Sequence, residues 1–313
     1  MNRPKAPRQT LSFLRRRFAS SGVRPHQRRG QNFLIDLNLL ELLVEAAELS
    51  ADDVVLEIGT GTGSLTRLVA ERVAVVITVE LDQQLLQLAS EELDGVPNIV
   101  MLRQDALNNK NRLHPRVLEE IGRQVAHDSR RRLKLVANLP YSIATPVISN
   151  LLAQPLVPVS MTVTVQKELA DRIAARPSTK DYGALSIWIQ SQCRVELVRV
   201  LPPSAFWPRP RVSSAIIRIV LDAPRREQIA DRDFLHGFVR ALFCHRRKLL
   251  RGVLPAAFKG QLTKTDADVV LSRFGLPAAT RAEELDVATI VRLADLVRQY
   301  LQPARVPHDQ AAS

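Results

Sequence analysis

Cysteine is almost missing. Cys193 and Cys244 stand alone, with no Cys-x-x-Cys pair, which excludes a disulfide framework and a cysteine-rich zinc site. Histidine is sparse too: six residues with no His-Glu-x-x-His spacing, so no metal centre is expected. No apolar run reaches the length of a bilayer-spanning helix, and the expectation is a reduced, cytoplasmic protein. Acids are absent where bases gather. Residues 1–30 carry nine Lys/Arg and no Asp or Glu, and residues 234–265 carry seven and none. Across the chain 44 Lys and Arg face 32 Asp and Glu, a net charge of +12, which suits a polyanionic partner such as nucleic acid. Internal repeats are lacking as well.

What is there falls into four stretches. Residues 1–30 read as a basic arm rather than a transit peptide, since Leu11 to Phe18 can wind two turns of amphipathic helix. Residues 31–221 read as one α/β domain, 222–303 as a basic helical module that docks RNA, and 304–313 as a disordered tail. The α/β reading rests on alternation of buried strands with helices, seven strands in all. Val54 to Ile58 runs into Gly59-Thr-Gly-Thr-Gly-Ser64 and a helix, the strand, glycine turn and helix of a doubly wound nucleotide-binding domain. A dinucleotide fingerprint wants glycine where Ser64 stands. Glu57, just ahead of the turn, would repel a pyrophosphate and attract a cation.

The next two strands end in acids as well. Glu80 closes Val75 to Val79, at the usual place for a carboxylate that accepts from two ribose hydroxyls. Asp105 follows Ile99 to Leu102, where an acid can accept from an adenine amino group. Together Glu57, Glu80 and Asp105 outline a pocket for an adenosine that carries positive charge and no phosphate. The fourth strand, Leu133 to Ala137, breaks abruptly at Asn138-Leu-Pro-Tyr141. That cluster offers acceptors for an exocyclic amino group, at the Asn138 side chain and a neighbouring carbonyl, and an aromatic face at Tyr141. Later, Phe206-Trp-Pro-Arg-Pro-Arg-Val-Ser-Ser214 interleaves aromatics with Arg209 and Arg211, which suits an unstacked base and its phosphates. In the C-terminal module Arg246, Arg247 and Lys248 form the densest basic cluster.

These segments resemble the KsgA-type rRNA adenine N6,N6-dimethyltransferases, within the class I, Rossmann-like methyltransferases. The resemblance runs from about Leu14 to Leu301. It is carried by Gly30-Gln-Asn-Phe-Leu34, Glu57-x-Gly-x-Gly-x-Gly63, Glu80, Asp105, Asn138-Leu-Pro-Tyr141, Gln166-Lys-Glu168, Phe206-x-Pro-x-Pro-x-Val-x-Ser214, Arg246-Arg-Lys248 and Arg281-Ala-Glu-Glu-Leu285. It implies S-adenosylmethionine as cofactor, held at Asn32, Leu34, Gly59, Gly61, Glu80, Asp105 and Asn138. It also implies that Tyr141 and Phe206 sandwich a target adenine. The implied substrate is a pair of adjacent adenines in a hairpin near the 3′ end of 16S rRNA, each methylated twice in an assembling 30S particle, by a monomer. Two features depart from the family pattern: a longer connection between Asp105 and Asn138, and Ser142 where Asn is common. Alternatives are a 23S rRNA adenine methyltransferase of the antibiotic-resistance type, and a non-catalytic assembly or transcription factor on the same fold.

Overall fold

The computed structural model describes residues 11–20, 22, 31–110 and 112–301. Most of the basic arm, Gly30 of the Gln-Asn-Phe-Leu motif and the expected tail at 304–313 lie outside the described residues. The chain divides into two units, residues 1–174 with 193–222, and residues 175–192 with 223–313. Residues 175–192, which sequence order places inside the α/β domain, therefore belong with the C-terminal helices.

The first unit is built on a seven-stranded sheet: β1 (Asp53–Ile58), β2 (Val75–Glu80), β3 (Ile99–Arg103), β4 (Arg132–Asn138), β5 (Ser160–Gln166), β6 (Cys193–Leu201) and β7 (Ser214–Leu221). Their spatial order is β3-β2-β1-β4-β5-β7-β6. Strands β1 to β5 run parallel, and β7 inserts antiparallel between β5 and β6. Every residue of β1 and β2 is buried, as continuous Val/Ile/Leu runs require when helices cover both faces. The strand order reverses between β1 and β4, and an open α/β sheet binds ligands at that switch, outside the carboxyl ends of its strands. The turns after β1 and β4 carry the glycine and Asn138 motifs, so sheet topology alone brings them together.

At the opposite end of the sheet, Lys134 anchors the fold. Its ammonium lies 2.9 Å from the buried carboxylate of Asp53 and donates to the carbonyls of Ala47 and Glu48. Between β3 and β4, the long polar connection forms a small antiparallel pair (residues 107–109 with 112–113) and helix Pro115–Ala126, which buries Val117 and Ile121.

The second unit is helical, from Ala184–Gln190 through Ala223–Glu227, Arg232–Phe243, Leu250–Ala257, Lys264–Arg273 and Val287–Leu301. Its core gathers Tyr182, Ile187, Leu235, Phe238, Leu254, Val270, Ile290, Leu293 and Val297. Helix starts are set by side-chain caps: Asp231 accepts from the Phe234 amide, and Thr263 and Asp266 cap each other. Among the described residues no helix is long and apolar enough to cross a membrane, and no cluster of His, Cys, Asp and Glu is placed to hold a metal.

Candidate active site

The glycine turn after β1 has residues 59 and 61 at φ of +87° and +57°, a region closed to side chains with a Cβ at little cost. Space reinforces the choice. A Cβ on Gly61 would sit 3.2 Å from the Phe33 ring, and one on Gly59 would touch the Pro140 ring at 3.4 Å. The turn is thus pressed between the Gln31–Leu34 segment and the Asn138 loop. The Gly59 amide donates to the Val79 carbonyl, and the Gly61 amide to Oε2 of Glu80. Glu80 also accepts from the Asp82 amide. Burial raises its pKa, and those amide bonds oppose the rise.

These pieces enclose a cavity of about 400 Å³ lined from Gln31, Asn32 and Phe33, the glycine turn, Val79 to Asp82, Leu85, Gln104 to Ala106, and the Asn138 loop with Pro140, Ser142 and Ile143. Its chemistry is distinctive. Among the described residues that line it, three are acids (Glu80, Asp82 and Asp105) and none is Lys or Arg. A diphosphate would find no counter-charge here, whereas a cationic nucleoside would. Leu81 is 54% exposed although apolar, and with Ile58, Val79, Leu85 and Ala106 it forms greasy walls for a flat ring. Gln104 Nε2 is buried without a hydrogen-bond partner among the described residues.

Asn138 sits where the cavity meets the rim of β4. Its Nδ2 donates to the Asn32 carbonyl at 2.8 Å. A carbonyl can only accept, so this bond fixes the amide orientation and turns Oδ1 away from Asn32. Tyr141 does not line the cavity. It stands half-buried beside Asn138 in the chain, its hydroxyl 2.5 Å from Oγ of buried Ser214 on β7. Burial pushes its phenol pKa up, so the ring is neutral at ordinary pH.

The sequence and the fold both have counterparts among known proteins. A family profile described as "Ribosomal RNA adenine dimethylase" matches residues 22–299. The chain belongs to that family. A protein of Clostridium acetobutylicum named "Ribosomal RNA small subunit methyltransferase A" is 38% identical over 271 residues, covering 86% of this chain and 92% of that one. Its namesake in Geobacillus thermodenitrificans is 39% identical over 85% of this chain and 88% of its own length. Among solved structures, a dimethyladenosine transferase from Plasmodium falciparum matches with a TM-score of 0.70 at 22% identity, over 85% of this chain and 97% of that one. The 23S rRNA methyltransferase ErmE matches with 0.60 at 24% identity, over 85% of this chain and 100% of its own. Both share the fold, a seven-stranded, mostly parallel methyltransferase sheet.

Within this family frame, Asn32, Gly59, Gly61, Glu80, Asp105 and Asn138 all line one cavity, as their motifs lead one to expect. Besides Tyr141, three other expected site residues do not. Glu57 lies behind the turn, 1% exposed, with Oε2 accepting from Thr66 at 2.6 Å and Thr78 at 2.7 Å. Desolvation pushes its pKa up to about 8, and the carboxyl is not part of the cavity lining, so it does not face a bound cation. Its work is internal: Thr78 also bonds the Thr60 hydroxyl at 2.6 Å, tying the glycine turn to β2. Leu34 packs its side chain into the core with Leu40, Leu43 and Val44. Phe206 pairs with Leu34 across a two-residue ladder and is 2% exposed among Leu201, Ala205 and Ile216, so neither face of its ring is open to a base.

The expected RNA contacts also divide. Arg209, Arg211, Arg247 and Lys248 are exposed. Arg246 is occupied: its guanidinium donates to the Lys180 and Tyr182 carbonyls and lies 3.6 Å from Glu283. That clamp is structural. Phe33, Leu81 and Gln104 are cavity residues that sequence reasoning does not mark; only the position of Phe33 inside the Gln-Asn-Phe-Leu motif signals it.

Proposed function

We propose that the first unit binds S-adenosylmethionine in the acidic cavity. It transfers methyl groups to N6 of two adjacent adenines near the 3′ end of 16S rRNA, acting as a cytoplasmic monomer on an assembling 30S particle. The observation that carries the reading is a cavity with three acids and no Lys or Arg among its described lining residues, next to an Asn138 whose Oδ1 is turned away from Asn32. Glu80 would accept from the ribose hydroxyls, Asp105 and Gln104 would meet the adenine edge, and Leu81 and Ala106 would flank its ring. When bound there, the cofactor supplies a methyl already activated on a sulfonium.

The chain's own residues then have a positioning task. An adenine N6 is a poor nucleophile because its lone pair is delocalised into the ring. Asn138 Oδ1 and the Leu139 carbonyl accept its two N–H bonds, which favours a pyramidal nitrogen aimed into the cavity. Rate enhancement follows from orientation and matched electrostatics rather than from a strong base. Tyr141 offers a face to the extruded base. Stacking worth about 1–3 kcal/mol offsets the few kcal/mol lost on unstacking it. With Phe206 buried, Tyr141 carries that contact among the described residues. After the first transfer one N–H is gone, and a single acceptor orients the nitrogen.

The basic second unit, with Arg247 and Lys248 exposed, supplies phosphate contacts that set affinity and salt dependence. The test is incubation with labelled methyl donor and undermethylated 30S particles, 50S particles or naked 16S rRNA, followed by mapping of the labelled nucleotides. Label on paired 3′-terminal adenines of 30S particles is expected. Label confined to 50S particles, or none, would overturn the reading.

A further inference from the structure

The helix Leu11–Ser20 lies outside every motif named above, yet it is fastened to the wall of the cavity. Arg17 bonds the Glu92 carboxylate and the Leu88 carbonyl, pinning it to helix Gln83–Glu92. One turn face carries Phe18, 2% exposed, packed in a cluster with Leu85, Leu88, Phe33 and Trp207. Its ring centroid lies 5.2 Å from that of Phe33 in an edge-to-face contact at 75°, and 5.4 Å from that of Trp207. Phe33 and Leu85 have two sides. One side faces the cavity; the other rests on Phe18.

The backbone on either side of Phe33 is held by the Asn138 bond to the Asn32 carbonyl, by the Ile35 amide on the Ala205 carbonyl and by buried Leu34, but these ties do not fix the ring. Phe33 belongs to a two-residue strand that pairs, among the described residues, with Phe206–Trp207. Its ring must nonetheless lie close over the glycine turn, within 3.2 Å of where a Cβ on Gly61 would stand. Small strands are marginal by themselves, and an aromatic contact on the far side is what can hold such a ring against one wall.

We infer that Phe18 is a positioning residue for the methyl donor: it backs Phe33 and Leu85, and so couples donor affinity to the seating of the N-terminal helix. The inference rests on the cavity being the donor site. Removing the ring leaves a void behind Phe33, which then spends only a fraction of its time in the competent position. Apparent affinity falls in proportion to that fraction. Catalysis at saturating donor is spared, because the bound donor itself selects the competent position of Phe33.

The experiment is calorimetric titration of S-adenosylmethionine into the full-length wild type, Phe18→Leu and Phe18→Ala, with turnover on undermethylated 30S particles at saturating donor. Weakening of about tenfold for Ala and about threefold for Leu is expected, with kcat within about twofold. Arg17→Met, which unpins the helix but keeps the ring, should shift affinity in the same direction; it decides the matter if Phe18→Ala fails to fold in a thermal melt. Unchanged affinity in Phe18→Ala beside a binding wild type overturns the inference alone. Loss of kcat at saturating donor equal to the loss of affinity also overturns it. A wild type that binds no donor overturns the reading of the cavity, and this inference with it.

Discussion

Replacing Glu57 by glutamine should flatten the pH dependence of stability. In the folded chain burial lifts this carboxyl from an ordinary 4.5 to about 8, against the pull of two threonine hydroxyls. Unfolded, it titrates near 4.5. Between those values the folded state holds a proton that the unfolded state releases. Stability therefore falls as pH rises across the window and levels off above about pH 8. The slope is about 1.4 kcal/mol per pH unit where the difference is complete, so from about pH 5.5 to about pH 7.5 this one group removes roughly 2–3 kcal/mol. The substituted amide would keep an oxygen for Thr66 and Thr78 but carries no titratable proton. Its nitrogen, buried without an obvious acceptor, adds a penalty of about 1–3 kcal/mol that does not vary with pH. Urea denaturation of both proteins at the two pH values, without ligand, isolates the difference. The wild type should lose roughly 2–3 kcal/mol more than the variant on going to the higher pH. Glu80, the neighbouring acid that also raises Glu57, is present in both and largely cancels. Parallel losses in the two proteins would refute the buried, protonated Glu57.

Other outcomes follow from the same geometry. Gly61→Ala forces a side chain into φ +57° and against Phe33, so donor Kd should rise more than about tenfold by calorimetry, with little change in fold by circular dichroism. Lys134→Ala removes the nearest cation from the buried Asp53 carboxylate, leaving it Arg132 at 3.4 Å and the Ser50 amide, and should cost up to about 3–5 kcal/mol in chemical denaturation. Arg247→Ala should reduce the slope of log affinity for rRNA against log salt by about one contact. By contrast, Arg246→Ala should lower the melting temperature of the protein while changing that slope little, because its charge is spent on Glu283 and two carbonyls.

Much of the cavity was legible from sequence because its parts are local. Glu80, Asp105 and Asn138 are recognisable at strand ends, and a parallel sheet delivers strand ends to one rim whatever the details of packing. What local pattern conceals is direction. Glu57 precedes the glycine turn by two positions, but only the fold shows that Thr66 and Thr78 turn hydroxyls onto it and that its side chain points away from the cavity. Phe206 sits in a loop rich in Pro and Arg, which reads as exposed; its burial depends on a ladder with Leu34, far away in the chain. Arg246 looks like its neighbours Arg247 and Lys248 until Glu283 and the 180–182 loop close around it. Residues 175–192 carry no signal that they pack with helices that begin beyond Asp222. Each miss is a long-range contact, the part of folding that strand and helix periodicity does not encode.

The sharpest single test of the account is the single-turnover rate of methyl transfer by Asn138→Ala on undermethylated 30S particles, at saturating donor and particle. If Oδ1 accepts the N6–H bond, the rate should fall by at least about a hundredfold, the loss of one well-aimed transition-state acceptor. A rate within a few-fold of wild type would remove Asn138 from the chemistry and contradict the central claim.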